Sequence, residues 1–159
     1  HWDPELGGLF TTADDGERLI VRQKDLLDNA TPSANSLAAV ALLRLAALTG
    51  EQRFANHADR ILQLLDPVMR RAPSAAGNAL AALHARLVGP SELVVPGPLG
   101  IFGDVYRARW RPNLVLAWGE ADGSPLFEGR TNGSAYLCHG HVCMAPATDA
   151  GVLRSQLDS

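Results

Sequence analysis

Asp28-Asn-Ala-Thr-Pro-Ser-Ala-Asn-Ser36, followed by Leu37-Ala-Ala-Val-Ala-Leu-Leu-Arg-Leu-Ala-Ala-Leu48, is the stretch that decides the fold. Small polar residues around Pro32 give way to an apolar run broken only by Arg44. Ser33 or Asn35 can cap the free N–H groups of a helix that starts there. Gly50 can end it in a left-handed conformation. A helix apolar nearly all round is expected to be buried on most sides.

Toward the C-terminus, Phe54, Ala58, Ile61, Leu62 and Leu65 form one apolar stripe, which predicts a second helix over 51–65 closed or bent by Pro67. A third is predicted over 74–87, with Ala76, Leu80, Leu83 and Leu87 on one side, ended by Gly89-Pro90. Toward the N-terminus, Leu9–Thr12 and Leu19–Val21 have strand chemistry around Asp15-Gly16, which predicts a β-hairpin over 8–22. Three helices cannot cover the first from all sides. The chain therefore reads as the C-terminal part of a larger soluble protein, and its first residue, His rather than Met, reads the same way.

The texture changes at Ser91. Glu92–Val95 predicts a buried strand, 99–109 a helix and Leu114–Trp118 a second strand, which together favour a parallel βαβ unit. Gly119–Gly133 reads as loop, Ala135–Cys138 as a third strand and 149–157 as a terminal helix capped by Thr148 or Asp149.

Composition excludes several classes. The 159 residues are 47% hydrophobic, so a real core is expected. A net charge of -3 carries no footprint for nucleic acid or an anionic membrane. The longest apolar run is too short to span a bilayer, and no secretory leader is visible, so a cytoplasmic location is expected. There is no phosphate-binding glycine loop, no G-x-S-x-G and no H-E-x-x-H. No cofactor is implied.

Three constellations carry chemistry. Lys24, Asp25, Asp28, Asn29, Ser33, Asn35 and Ser36 crowd the entrance of the first helix. A helix N-terminus offers unpaired N–H groups and a partial positive charge, which suits a polar ligand. The alternative is an ordinary turn and cap, since turns favour these residue types. Cys138-His-Gly-His-Val-Cys143 holds four metal-binding residue types in six positions. Its C-x4-C spacing is not that of a usual zinc site, and a strand would turn Cys138 and His139 to opposite faces. A cystine across a turn or a pair of buried thiols is preferred, and no metal is expected. Arg107, Arg109 and Arg111 with Trp110 read as a solvated face rather than an anion site, and His57 and His84 as surface or packing residues.

Gly7–Phe10, Leu19–Arg22, Lys24-Asp25, Asp28–Ser36, Arg111-Pro-Asn113, Ala135–Cys138, Cys143 and Pro146–Asp149 together resemble the C-terminal end of the thioredoxin-domain-containing, spermatogenesis-associated protein 20-like family. The resemblance implies a longer parent chain with a thioredoxin-like domain and an (α/α)6 toroid of the six-hairpin glycosidase and N-acylglucosamine 2-epimerase type. On that basis the expected fold is mainly α with a smaller α/β part. Residues 1–90 would hold the β-hairpin and last hairpins of an incomplete toroid, and 91–159 an appended α/β segment. The familial cysteine pair, with His139 and His141 outside the pattern, lowers the metal reading further.

Two functions follow. In the first, the chain is part of a sugar-active or sugar-binding toroid. Asp28, Asp25 and Lys24 are then the catalytic candidates, and Asn29, Ser33, Asn35 and Ser36 bind the ligand. The isolated chain is expected to be inactive, because the rest of the pocket lies elsewhere. In the second, it is a non-catalytic scaffold serving a redox domain, with Cys138 and Cys143 as redox or structural cysteines. The remainder of the parent chain is the expected partner, and self-association is expected from the uncovered first helix.

Overall fold

Ser33 and Gly50 bound the first helix as the cap chemistry predicts. In the computed structural model, which describes residues 1–16, 20–120, 123–140 and 142–159, α1 spans Ala34–Thr49. The Ser33 hydroxyl accepts from the Ser36 N–H at 3.0 Å, and Gly50 takes φ 72°. Further helices are α2 (Gln52–Arg71), α3 (Gly77–Val88), α4 (Gly100–Arg107) and α5 (Ala150–Leu157). The strands are β1 (Ser91–Pro96), β2 (Leu114–Gly119), β3 (Tyr136–His139) and β4 (Val142–Cys143). The fold is mixed α/β. The chain divides into two units, one of His1–Ala46 with Glu51–Val88, the other of Ala47–Gly50 with Gly89–Ser159.

The first unit is helical. Ala39, Ile61, Leu62, Leu65, Met69, Ala76, Ala79 and Ala82 form its core. Three details depart from the sequence reading. The helix α2 runs through Pro67 to Arg71, because Met69 continues the buried stripe one turn past Leu65 while Pro67 is exposed. Water can then reach the carbonyl that the missing N–H leaves open. On α3 the buried residues are Ala79 and Ala82, while Leu80 and Leu87 are 37% and 77% exposed. Small side chains fill the buried positions of α3, and Leu83 packs partly buried against the same core. Of its hydrophobic residues, α1 buries only Ala39, Leu43 and Ala47, with Leu37, Ala41 and Leu45 exposed on its other side.

The hairpin expected over 8–22 is not formed among the described residues. Thr11 meets Gln23 through its backbone N–H and its hydroxyl, both donating to the Gln23 carbonyl, and Leu9 makes an isolated bridge to Trp2. Ile20 is fully exposed and Val21 is 68% exposed, so no apolar face stabilises a ladder there. A lone two-stranded ribbon is marginal in water without one. Leu19, the start of the expected second strand, lies outside the described residues. Instead, the N-terminal arm folds against α2, where Arg60 donates to the carbonyls of Pro4 and Glu5 at 2.8 Å.

The second unit is a four-stranded sheet of order β2-β1-β3-β4. The βαβ unit forms as read: β1 and β2 pair in parallel from Ser91↔Leu114 to Pro96↔Gly119, with α4 between them in sequence. The strand β3 adds antiparallel to β1, and β4 antiparallel to β3. Being central, β1 is buried from Glu92 to Pro96, which explains its unbroken apolar run. Leu93, Val95, Phe102, Val105, Leu114, Leu137 and Leu153 make the core. Asp149 caps α5, accepting from the N–H groups of Gly151 and Val152. Among the described residues no helix is long and apolar enough to cross a membrane.

Candidate functional site

The polar residues at the entrance of α1 form two linked knots. In the first, the Asp28 carboxylate receives four donors. One oxygen accepts from the Ser33 N–H at 2.8 Å and from the Ser36 hydroxyl. The other accepts from the N–H groups of Asn78 at 2.8 Å and Ala79 at 3.2 Å. Asp28 therefore caps the N-termini of α1 and α3 together. Its backbone N–H donates to the Ala75 carbonyl, fixing the loop against the start of α3. Ser33 and Ser36 are fully buried, and the Asn78 amide donates to the Ser36 hydroxyl at 3.2 Å. Partial burial works to raise the pKa of Asp28, but the donors Ser36, Ser33, Ala79 and Asn78 outweigh it and hold the carboxyl below its ordinary value.

In the second knot, Asn35 ties the N-terminal arm down. Its side-chain oxygen accepts from the Leu9 N–H at 2.6 Å, and its amide donates to the carbonyls of Leu9 and Asp25 at 3.0 and 2.9 Å. Leu9 is thus bonded at both backbone groups, as it would be in a strand. This close approach dictates Gly8: a Cβ there would lie 2.8 Å from the Asn35 oxygen, and φ is +80°. Lys24 reaches back to Asp3 at 2.7 Å and to the Gly7 carbonyl at 2.6 Å, with both charged side chains only 10% exposed. Lys24 pulls the Asp3 pKa down to about 2; burial opposes it, and the N–H groups of Leu6 and Glu5 assist.

The structure therefore brings Asp28, Ser33 and Ser36 into one network, and Asn35 and Lys24 into a neighbouring one. Asp25 is exposed and accepts from the Ala34 N–H at 3.3 Å. Asn29 is exposed and turns back on its own loop, donating to the Leu27 carbonyl. The partners Asn78 and Ala79 lie 50 residues downstream, and no local signal in the sequence announces them.

The cysteine stretch resolves differently. Cys138 and Cys143 face each other across β3 and β4 and form a disulfide. Of the alternatives left open, the cystine across a turn is the one formed, and sulfurs bonded to each other are not thiolate ligands. Among the described residues no group of three or more His, Cys, Asp or Glu side chains is placed to hold a metal. His141 lies outside the described residues, and His139 is exposed. Arg130, in a segment read only as loop, donates to both sulfurs, at 3.2 Å to Cys138 and 2.8 Å to Cys143.

The arginine segment is also more organised than its spacing suggested. Arg109 and Arg111 converge on Asp158 beyond α5, at 3.7 and 3.1 Å, and Arg111 is only 17% exposed. With Trp110, Asn113 and Gln156 they line a cleft of about 520 Å³.

No family model matches the chain. It is 30% identical to spermatogenesis-associated protein 20 of Homo sapiens over 98% of its own length. The counterparts in Mus musculus and Rattus norvegicus are 29% and 30% identical over the same share. The chain spans about 22% of the length of these curated relatives. Along nearly all of its length, the chain is a distant homologue of spermatogenesis-associated protein 20.

Proposed function

We propose that this chain is a non-catalytic scaffold segment of a larger protein, whose further helices cover the outer face of α1. One observation carries the reading. Leu37, Ala41 and Leu45 recur every fourth residue on α1 and stay exposed, Leu37 at 55% and Leu45 at 41%. Burying a leucine is worth about 1.5–3 kcal/mol, so a partner helix on that stripe gains substantially. The length of the relatives supports such a partner, and so does the toroid that the sequence resemblance implies, in which helices cover one another. A thioredoxin-like domain in the same parent protein is the client this scaffold would serve. The Asp28 and Asn35 knots fit the role: their polar groups bond one another and lock the loop that precedes α1.

Sedimentation of the 159-residue chain tests this. Self-association at micromolar concentration, abolished in Leu37→Gln/Leu45→Gln, is the expected result. A wild-type monomer that unfolds cooperatively would sink the reading.

A sugar-binding or sugar-active rim is the second reading, and the exposure of Asp25 and Asn29 beside the α1 N-terminus favours it. It requires sugar binding or turnover that Asp25→Asn abolishes without loss of folding. Titration calorimetry with neutral monosaccharides that shows no heat, in a protein carrying the missing helices, would remove it.

A further inference from the structure

We propose that Cys138–Cys143 is a thiol–disulfide exchange site, in which Arg130 stabilises the departing thiolate and an external thiol or dithiol is the co-reactant. Three features support it independently of the scaffold reading.

The two sulfurs are inequivalent. Cys138 is 1% exposed, whereas Cys143 lies in an exposed residue on the edge strand. A thiolate from solvent therefore reaches the Cys143 sulfur first. Cys138 is then the leaving group, and the guanidinium of Arg130 sits 3.2 Å from its sulfur. A nearby cation lowers a thiol pKa, and a leaving thiol of lower pKa departs faster.

Arg130 is held for the task. Its backbone N–H donates to the Phe127 carbonyl, and its guanidinium lies 5.7 Å from the Tyr136 ring centroid. The aromatic face and both sulfurs together fix the fork.

The strand that carries Cys143 is short. Among the described residues, the pairs Cys138↔Cys143 and His139↔Val142 join β4 to β3, with a backbone bond from Met144 to Leu137 beyond them. Opening the disulfide thus removes a large part of what anchors this edge.

The step balances. The attacking thiolate forms a mixed disulfide with Cys143 as the Cys138–Cys143 bond breaks, and the electron pair leaves on Cys138. A second thiol equivalent then attacks the mixed disulfide, which frees Cys143. Two electrons reduce the cystine, and two reductant thiols become one disulfide. Arg130 is a positioning residue, and neither sulfur needs a metal.

Equilibration of the oxidised chain with dithiothreitol, quenched and counted for free thiols, tests the role of Arg130. Arg130→Gln should favour the oxidised form about fivefold to tenfold more than wild type, where tenfold corresponds to about 30 mV for this two-electron couple. It should also slow reduction, and Arg130→Lys should restore part of both effects by supplying a point charge. A purely structural arginine would shift thermal unfolding and leave the equilibrium constant alone, which would overturn the assignment. Cys138→Ser and Cys143→Ser test the direction of attack without touching Arg130. With glutathione disulfide, Cys143 in the first variant should form its mixed disulfide at least about tenfold faster than Cys138 in the second. Equal or reversed rates would overturn it, as would two free thiols persisting in an oxidised glutathione buffer.

Discussion

The stretches 28–36 and 138–143 hold the densest polar and sulfur chemistry in the chain, and they dispose it in opposite ways. At 28–36 the reactive-looking atoms turn inward: both Asp28 oxygens carry two donors each, and Ser33, Asn35 and Ser36 are fully buried. At 138–143 one sulfur is buried and its partner belongs to an exposed residue, with a cation across both. The difference lies in what surrounds them. Two helix N-termini present donors that need acceptors, and the two Asp28 oxygens take four of them. An edge strand has no neighbour on its outer side, so what it carries stays within reach of solvent.

That contrast can be broken or sharpened by experiment. The largest effect is expected from Asp28→Ala, which removes the shared acceptor of α1 and α3 and should cost about 3 kcal/mol in urea unfolding followed by helical circular dichroism. A loss under 1 kcal/mol would mean that the knot is not structural and would favour the ligand reading. Next comes Cys143→Ser. The loop closed by the disulfide is short (sequence separation 5), so chain entropy assigns it only about 2 kcal/mol. A much larger loss would make the cystine a structural staple rather than an exchange site.

Acid should distinguish the regions as well. Asp28 and Asp3 have folded-state pKa values below their unfolded ones, Asp3 at about 2. Their contributions are complete above the ordinary carboxylate value of about 4 and fade as pH falls through the folded values. For Asp3 that window runs from about 4 down to about 2. Acid titrations of stability should therefore be shallower in Asp28→Asn and Asp3→Asn than in wild type, with the disulfide unaffected across the same range. The smallest effect belongs to Ile20→Thr. Ile20 is fully exposed, so a change beyond about 0.5 kcal/mol would indicate a hairpin that the fold does not otherwise need.

How much of this was legible depends on the distance over which each feature is decided. The βαβ unit could be read from the sequence because each of its parts is local: an apolar run bounded by Ser91 and Pro96, an amphipathic segment, then Leu114–Trp118. The α1 boundaries were equally plain, since Ser33 and Gly50 act on the adjacent turn. Among the described residues of 8–22 no ladder forms, since strand propensity needs an apolar face to pack on and Ile20 and Val21 are exposed; residues 17–19 lie outside the described residues. Which residues of α3 are buried was not legible: Ala79 and Ala82 are, while Leu80 and Leu87 are exposed, and packing against a distant segment settles that. At the sites, residue types located both stretches. The partners that define them, Asn78 and Ala79 for Asp28 and Arg130 for the cystine, lie outside those stretches, and no local signal pairs them with their targets.

The sequence by itself determined where α1 begins and ends, the parallel pairing of β1 with β2 and the placement of two cysteines within reach of one cross-link. These follow from capping, hydrophobic period and spacing, which act within a few residues. Only the tertiary structure decided that Asp28 accepts donors at the starts of both α1 and α3, that Ala79 and Ala82 are the buried residues of α3, and that a guanidinium rests on both sulfurs. Those outcomes depend on which surfaces meet, and burial and hydrogen bonding select among surfaces only once distant segments are packed together.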